Sequence, residues 1–310
     1  MSAEPLARRA LGTTGATIPV LGFGAGPVSA LMTDAAARTR QLATIEHALA
    51  AGIDWFDTAA TYGNGESESS LGAALRDLGA EVNVATKVRL TPEQLGGIRE
   101  AVKTSVASSL RRLGLPRVSM VQLHNSITPQ RGDLPTSITS RDALDVLSAF
   151  EELRRDGLVQ WCGLTGLGDS TALIETMRGG SWTTVQVNFN LAEPDPSMFD
   201  AARKDGISAL AIRVFAGGAL SGQPPSAHTR TTKFFPLATY ERDSRAAAAM
   251  QSRLPAGITL AEAALRFAAH HPAVTAALIG FASPEQVDDA VRWTRAGPLD
   301  QELAEKLTHA

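Results

Sequence analysis

The chain has 310 residues, of which 44% are hydrophobic and 20% charged, and its formal net charge at pH 7 is -3. This length allows a sizeable buried core. Because there is no run of basic residues, we do not expect nucleic acid or an anionic membrane surface as a partner. A single cysteine, Cys162, excludes an intrachain disulfide. No apolar run is long enough to cross a bilayer, and we expect no leader peptide in residues 1–8. These features predict a cytoplasmic protein.

Two short strands around a Thr-Gly turn are predicted in residues 9–20, which indicates a hairpin. A further strand begins at Val20, with a glycine-rich loop after it, and a helix with one apolar face follows at 39–50. From there, apolar strands and helices alternate. The other predicted strands are 55–57, 82–86, 119–123, 159–165, 184–187, 207–212 and 273–279, and the helices that follow them are 67–78, 98–113, 143–156, 170–178, 198–204, 260–269 and 285–294.

Eight strand–helix units with continuous apolar strands predict a parallel sheet that is covered on both faces. Eight such units favour a closed (β/α)8 TIM barrel over an open doubly wound sheet, and such barrels commonly form one domain of about 250 residues or more. We therefore predict an α/β fold with a single domain over 1–310, an N-terminal β-hairpin and an extra C-terminal helix at 299–307.

Three stretches are longer than the loops that barrels normally use, namely 126–142, 188–197 and 217–257. The first and the third are rich in Pro, Gly, Ser and Thr. Since these two follow the fourth and seventh barrel strands, we expect loops there on the rim that carries the functional site, where loops usually select the ligand.

Four polar residues lie at or just after three successive strand ends. Asp57 ends one apolar strand, Tyr62 follows five residues later, and Lys87 and His124 close the next two strands. The carboxyl ends of parallel barrel strands meet at one rim, so these side chains are expected to converge. A lone aspartate often caps a turn and a lone histidine is often a core residue, whereas a buried lysine is rare without a partner. The four together therefore indicate a functional site.

The segments that carry these residues resemble the catalytic tetrad of the aldo-keto reductases in order and spacing. They are Phe56-Asp57-Thr58-Ala59 with Tyr62-Gly63, Ala85-Thr86-Lys87, and Leu123-His124. The resemblance extends approximately from Leu11 to Val291. It implies a barrel whose floor is closed by the hairpin, and an oxidoreductase whose catalytic residues are Asp57, Tyr62, Lys87 and His124.

Reduction of a carbonyl group needs a hydride on carbon and a proton on oxygen. No side chain supplies a hydride, so a nicotinamide coenzyme must. Tyr62 is the predicted proton donor, because a neighbouring ammonium such as Lys87 favours the phenolate that remains. Asp57 would hold Lys87 charged and in place, and His124 would orient the carbonyl oxygen. In the reverse direction the same set oxidises an alcohol, with Tyr62 as the base.

The glycine-rich segment after Val20 fails the Rossmann dinucleotide fingerprint, since its sixth position is Pro27. The resemblance instead assigns coenzyme contacts along the barrel rim, with two departures from the family. Gly166 replaces an asparagine that binds the nicotinamide carboxamide, and Ile212 replaces a stacking aromatic residue. Asn188 or the backbone would supply the hydrogen bonds that the missing asparagine makes. Gln186 is predicted to bind the carboxamide as well, with a hydrogen bond inside the barrel as the alternative. The assigned residues are Gly24, Ala25, Asp57, Thr165, Gly166, Gln186, Ile212, Arg213, Val214, Phe215, Gly217, Leu220, Gly280, Ser283, Gln286 and Asp289.

The start of the last barrel helix, 280–291, contains no Lys or Arg but three acids, Glu285, Asp288 and Asp289. In relatives that prefer NADP, a basic residue in this segment binds the 2′-phosphate. We therefore predict NAD or NADP as the coenzyme, with NAD slightly favoured. Arg230 or Lys233 would reverse this preference by reaching over from the long loop.

The Arg213-Val214-Phe215 sequence resembles a branch that includes sugar and pyridoxal dehydrogenases. We expect a small carbonyl or alcohol substrate, a monomer or small homo-oligomer, and no metal, because the other five histidines lack metal-ligand spacing. Two alternatives stay open. One is a non-catalytic regulatory subunit that binds the nicotinamide nucleotide on the same fold, and the other is a barrel lyase or isomerase with Lys87 as a Schiff-base residue.

Overall fold

The computed structural model describes residues 5–309. The strands are Arg8–Ala10 (β1), Thr17–Pro19 (β2), Leu21–Gly24 (β3), Trp55–Asp57 (β4), Asn83–Val88 (β5), Val118–Leu123 (β6), Val159–Thr165 (β7), Thr184–Asn188 (β8), Ser208–Ile212 (β9) and Ala276–Ile279 (β10). The α-helices are Arg38–Ala50 (α1), Glu66–Asp77 (α2), Ile98–Leu113 (α3), Ser140–Arg155 (α4), Ser170–Arg178 (α5), Ser197–Lys204 (α6), Ala227–Thr231 (α7), Leu237–Gln251 (α8), Leu260–Ala269 (α9), Pro284–Arg295 (α10) and Gln301–Thr308 (α11).

Strands β3 to β10 form a closed barrel of parallel strands in the order β10-β3-β4-β5-β6-β7-β8-β9. Most of their residues are buried, because one face packs on helices and the other fills the barrel interior. The predicted (β/α)8 barrel is confirmed, and so is the extra C-terminal helix, which is α11. The predicted strands 55–57 and 159–165 coincide with β4 and β7.

The N-terminal hairpin closes the end of the barrel where the strands begin. β1 and β2 pair in antiparallel fashion, and the turn between them is anchored by the Gly12 amide, which donates to the Ser208 hydroxyl at 2.7 Å. Leu11 and Ile18 are fully buried in a cluster with Trp55, at the start of β4. The predicted hairpin is therefore confirmed, and it leaves the opposite end of the barrel as the open one.

The strand register brings three of the four predicted polar residues to that open end. Asp57 is the last residue of β4 and pairs with Ala85 on β5. Lys87 is next to last in β5 and pairs with Gln122 on β6, and His124 directly follows β6. Three neighbouring strands thus deliver the acid, the lysine and the histidine to adjacent positions of one rim.

The prediction of a long loop over 217–257 was wrong for half of its length, because the structure forms α7 and α8 there. The reason is visible in α8, where four consecutive alanines at 246–249 are the strongest helix formers. Pro236 directly precedes this helix, and Ala247 and Met250 bury its inner face in a cluster that includes Leu307 of α11. Across the described residues, no helix combines the length and hydropathy needed to span a bilayer.

Helix α2, which follows the segment with Tyr62, packs on α3 at Gly72. A Cβ at this position would lie 2.0 Å from the Leu113 carbonyl oxygen, whereas a Cβ at Gly96 would meet nothing within 4 Å. We expect Gly72→Ala to lower the free energy of unfolding by about 1–3 kcal/mol, although alanine is the better helix former. The control Gly96→Ala should stay within about 0.5 kcal/mol of wild type. Urea unfolding would measure both, and equal midpoints for the two variants would contradict this packing.

Candidate active site

The centre of the open rim is an ion pair between Asp57 and Lys87, whose side chains are 6% and 1% exposed. The Lys87 ammonium donates to Asp57 Oδ1, to the Thr58 carbonyl oxygen at 2.9 Å and to the Tyr62 hydroxyl oxygen at 3.3 Å. These three bonds use all three protons of the ammonium. A fully engaged ammonium has no lone pair with which to attack a carbonyl carbon, so this geometry argues against Lys87 as a Schiff-base residue.

Two glutamine side chains hold the second oxygen of the Asp57 carboxylate. Gln122 on β6 donates to Oδ2 at 2.9 Å, and Gln186 on β8 donates to the same atom at 2.5 Å. A buried ion pair is tolerated only when further hydrogen bonds satisfy its remaining lone pairs. The two amides meet that condition, and they fix the carboxylate from the far side of the barrel.

The surroundings of Lys87 keep it charged. Burial disfavours the ammonium, but the Asp57 carboxylate and the Tyr62 phenol outweigh that effect, so the pKa of Lys87 is raised above its ordinary value. The ammonium also lies 4.9 Å from the centre of the Tyr62 ring. The positive charge is therefore permanent at neutral pH and lies directly beside the phenol oxygen.

Tyr62 reaches this position from a tight turn rather than from a strand. It begins the 3-10 turn Tyr62–Gly65, in which Gly63 and Asn64 have φ of 58° and 52°. The Tyr62 ring meets the His124 ring edge to face, with 5.7 Å between the centroids. The structure thus brings together all four residues that the sequence singled out as a possible tetrad.

His124 is buried and neutral. Burial is the main cause that lowers the pKa of His124 well below 6.5, and the positive charges of Arg89 and Lys87 lower it further. Its Nδ1 lies 3.4 Å from the Thr61 hydroxyl. A neutral imidazole beside a phenol can donate one hydrogen bond to a carbonyl oxygen without adding charge to the site.

A cavity of about 1010 Å³ opens above this cluster, at the upper end of the range for small-molecule sites. Most of the residues predicted to contact a coenzyme line its wall, but Ala25, Gly166, Leu220 and Ser283 do not. Lys87 lies beneath the wall. The predicted residues in the wall are Gly24, Asp57, Tyr62, His124, Thr165, Gln186, Ile212, Arg213, Val214, Phe215, Gly217, Gly280, Gln286 and Asp289.

The segment after β7 explains why glycine stands at 166. A Cβ there would lie 3.0 Å from the Gln186 carbonyl oxygen and 3.3 Å from a Val185 methyl group. The Gly166 amide donates to that same carbonyl at 2.6 Å, and the Thr165 hydroxyl donates to the Leu123 carbonyl at 3.1 Å. A side chain at this position fits only if its neighbours on β8 shift by a few tenths of an ångström, so the close packing of the segment after β7 on β8 favours glycine there.

Arg213 follows β9 in a left-handed conformation, with φ of 54°, which is uncommon for a residue other than glycine. Its guanidinium pairs with the buried Asp243 of α8 at 2.8 Å and lies 4.3 Å from the centre of the Phe235 ring. Burial lowers the pKa of Arg213, against the opposing effect of Asp243. The buried Nε has no hydrogen-bond partner within residues 5–309.

The start of α10 forms the other end of the cavity. The Gln286 side chain accepts from the Ala282 amide at 2.7 Å, and Asp289 pairs with Arg292 at 2.6 Å. Ser283 is the N-cap residue, and it makes no side-chain capping bond. Asp289 is therefore the acid in the cavity wall here, and Arg292 supplies its counter-charge.

Sequence reasoning missed several residues of the wall, among them Arg89, His228, Phe234, Phe235 and Trp293. A signal existed for Arg89, because it lies two residues after Lys87 and strand alternation places such residues on one face. His228 was expected to be structural or exposed to solvent. The two phenylalanines lie between α7 and α8, and nothing in their local sequence indicates that they cover the barrel mouth. Residues 5–309 contain no group of three or more side chains suited to a metal ion.

Comparison with known proteins extends the resemblance over nearly the whole chain. A family model described as the Aldo/keto reductase family matches residues 20–310. L-galactose dehydrogenase of Arabidopsis thaliana is 26% identical, over 96% of this chain and 92% of that protein. The holo form of the aldo-keto reductase AKR11C1 from Bacillus halodurans is 26% identical, with a TM-score of 0.74 over 97% of this chain and 96% of that one. An aldo-keto reductase from Klebsiella pneumoniae in complex with NADPH is 22% identical, with a TM-score of 0.71 over 98% and 95%.

The buried state of His124 predicts a loss of stability at acid pH. The pKa of His124 in the folded protein lies well below 6.5, the ordinary value expected in the unfolded chain. As the pH falls below 6.5, the unfolded chain therefore binds a proton that the folded protein excludes. The contribution of neutral His124 to the free energy of unfolding is fully present above pH 6.5. It is progressively lost as the pH falls from 6.5 towards the pKa of His124 in the folded protein.

We expect wild type to lose more free energy of unfolding than His124→Gln when the pH is lowered from about 7.5 to about 5. The constant cost of the substitution cancels in this difference, as do the contributions of the other histidines. Urea titrations of both proteins at the two pH values would measure it. Equal losses would mean that His124 is not excluded from protonation in the folded protein.

Proposed function

The chain belongs to the aldo/keto reductase family, and we propose that it interconverts an aldehyde or ketone and the corresponding alcohol, with a nicotinamide dinucleotide as the hydride carrier. The observation that carries the proposal is the 3.3 Å contact between the Tyr62 hydroxyl oxygen and the Lys87 ammonium, at the wall of an open cavity. A phenol beside a buried ammonium can give up its proton, because the remaining phenolate is stabilised where it forms.

The residues of the wall fit a nicotinamide dinucleotide. The buried Arg213 Nε, which has no partner in the described part of the chain, suits a phosphate oxygen. Gly217 and Gly218, with φ of 70° and 107°, expose backbone at the same place. We assign the nicotinamide end to Gln186 and its neighbours on β7 to β9, and the adenosine end to the start of α10. The predicted coenzyme residues that do not line the cavity, Ala25, Gly166, Leu220 and Ser283, would act by packing behind its wall.

In the proposed reaction the coenzyme supplies the hydride that reaches the carbonyl carbon. The carbonyl oxygen accepts a hydrogen bond from neutral His124 and the proton from the Tyr62 hydroxyl. The negative charge that remains on Tyr62 lies beside the Lys87 ammonium, which Asp57 keeps charged. When an alcohol is oxidised, the same phenolate takes the hydroxyl proton back. In the proposed reaction, the protein itself therefore supplies or removes one proton at the Tyr62 hydroxyl oxygen.

A second candidate function is a non-catalytic subunit that binds the nucleotide, and the packed site at Gly166 favours it. Neither a side-chain amide nor a free backbone N–H is available at that position for the carboxamide. This candidate predicts coenzyme binding without turnover. The proposed oxidoreductase predicts both coenzyme binding and turnover, so a turnover assay distinguishes the two candidate functions.

Replacing the phenol tests the proton transfer directly. We expect Tyr62→Phe to lower kcat for carbonyl reduction by about a hundredfold or more, the usual contribution of a positioned acid. Coenzyme affinity, measured by fluorescence titration, should stay within a few-fold of wild type. Tyr240→Phe is the matched control, since it removes the hydroxyl of the only other tyrosine, which donates to the Gln223 carbonyl. Undiminished turnover in Tyr62→Phe would reject the proposed mechanism.

The charges at the adenosine end bear on the choice between NAD and NADP. Asp289 faces the cavity there, and a 2′-phosphate gains little beside a carboxylate. We propose that NAD is used at least as well as NADP, so that KM for NADPH is no lower than KM for NADH.

Steady-state kinetics with both coenzymes would test this preference. A strong preference for NADPH would refute it. Lys233→Gln would then test the cause, because of the two loop cations predicted to reach over, Arg230 and Lys233, the exposed Lys233 lines the cavity. A rise in KM for NADPH alone in that variant would assign the 2′-phosphate to Lys233.

A further inference from the structure

Arg89 is a half-buried cation in the cavity wall without a carboxylate partner in the described part of the chain. Its Nε donates to the His124 carbonyl oxygen at 3.2 Å, and its guanidinium carbon lies 4.1 Å from the centre of the Phe234 ring. These two contacts fix the plane of the guanidinium. They leave its two terminal nitrogens free of acceptors among residues 5–309.

The other charges at this cavity are balanced, apart from Lys233, which is exposed to solvent. The charged side chains of the wall or directly behind it form three ion pairs, Asp57–Lys87, Arg213–Asp243 and Asp289–Arg292. Arg89 is therefore the half-buried positive charge that the protein does not neutralise. Burial lowers the pKa of Arg89, so the charge is held at a cost that an incoming anion would offset.

The position of Arg89 places it on the substrate side of the cavity. Arg89 directly follows β5, two residues after Lys87, so its backbone lies roughly 6.5 Å further towards the mouth, and Arg89 lines the cavity wall whereas Lys87 does not. It follows β5 and touches the residue after β6, whereas the residues assigned to the coenzyme, apart from Asp57 at the end of β4, lie at the ends of β3 and β7 to β10, in the segment after β9 and on α10. Burial lowers the pKa of both His124 and His228, and the charge of Arg89 lowers both further, so Arg89 lies near both rings.

We propose that Arg89 binds a carboxylate of the substrate, so that the preferred substrate is an aldehyde or ketone that also carries a carboxylate group. This inference rests on the proposed oxidoreductase function. The planar fork of a guanidinium matches a planar carboxylate with two parallel hydrogen bonds. The backbone rise of roughly 6.5 Å over two residues is comparable to the separation of the two functional groups across a para-substituted benzene ring. Phe234, Pro135 and Leu167 offer apolar wall for such a body.

A matched pair of substrates tests the assignment, namely 4-carboxybenzaldehyde and its neutral methyl ester, methyl 4-formylbenzoate. In wild type we expect kcat/KM for the acid to exceed that for the ester by about ten- to a hundredfold, as a charge-assisted hydrogen bond provides. In Arg89→Met the ratio should fall to about one or below. Arg89→Lys, which keeps the charge but not the fork, should restore part of it. Because the ratio compares two substrates of one enzyme, an effect of Arg89 on the chemical step cancels.

The control variant is Arg155→Met, which removes an exposed arginine at the end of α4, and it should keep the wild-type ratio. A wild-type ratio near one would overturn the carboxylate site while the oxidoreductase function stands. So would a ratio that Arg89→Met leaves unchanged. Faster reduction of 4-formylphenyl phosphate than of the acid would overturn the carboxylate as the preferred anion. Equal turnover by Tyr62→Phe and wild type would instead reject Tyr62 as the proton donor, whatever Arg89 does. Coenzyme binding by wild type without turnover of any carbonyl substrate would reject the oxidoreductase function.

A binding measurement decides the matter if neither aldehyde is reduced, or if Arg89→Met is too unstable to assay. Terephthalate, an unreactive dicarboxylate of the same shape, would be titrated calorimetrically into wild type and Arg89→Lys in the presence of oxidised coenzyme. Binding by wild type that weakens about tenfold in Arg89→Lys, and that falls as ionic strength rises, supports the site. Absence of binding by wild type, or equal binding by both proteins, overturns it.

Discussion

The buried ion pair between Asp57 and Lys87 is the interaction on which the rest of the site depends. Two opposite charges taken out of water are favourable only when both are fully hydrogen-bonded. Here the carboxylate accepts hydrogen bonds from two glutamine amides and from the ammonium. The ammonium donates its two other protons to the Thr58 carbonyl and to the Tyr62 hydroxyl oxygen. The phenol oxygen of Tyr62 is thus part of the solvation shell of a buried cation. Its chemistry follows from that position.

A closed barrel is what makes such a shell possible. Lys87 and Gln122 come from neighbouring strands, but Gln186 comes from β8, on the opposite side of the interior. In an open sheet these strands would lie too far apart to share one carboxylate. Closure also requires small residues where strands and loops pack closely, and Gly166 is one of them. The packing around Gln186 therefore leaves little space at residue 166 for the asparagine that the family resemblance implies there.

The sequence predicted the barrel and the meeting of Asp57, Tyr62, Lys87 and His124, for a physical reason. Strand ends are marked by abrupt changes from apolar to polar residues, and parallel strands place such ends on one rim. What it could not predict was how segments distant in the chain lie across that rim. The helix α8 was overlooked within a stretch judged by its Pro, Gly, Ser and Thr content, although its alanine run was a usable signal.

The sequence also did not predict which groups each side chain would bond to. The sequence offered both a coenzyme contact and a bond inside the barrel for Gln186, and the structure shows the bond to Asp57 while the residue also lines the cavity. Arg213 was predicted to contact the coenzyme, whereas the sequence did not indicate that its ion-pair partner is Asp243, 30 residues later on α8. Hydrogen-bond geometry of this kind depends on distances between elements, which no local pattern contains.

The two cations on either side of His124 give the site its electrostatic character. Lys87 and Arg89 both lower the pKa of the imidazole, and Arg89 also interacts favourably with the ionised form of Tyr62. In the proposed mechanism this charge arrangement has three effects, since it adds to burial in keeping His124 neutral, it favours the phenolate of Tyr62 and it leaves a positive charge in the cavity wall. A neutral substrate would use only the first two. A substrate with a carboxylate would use all three, and would bring the counter-charge that the cavity wall of the barrel itself does not provide for Arg89.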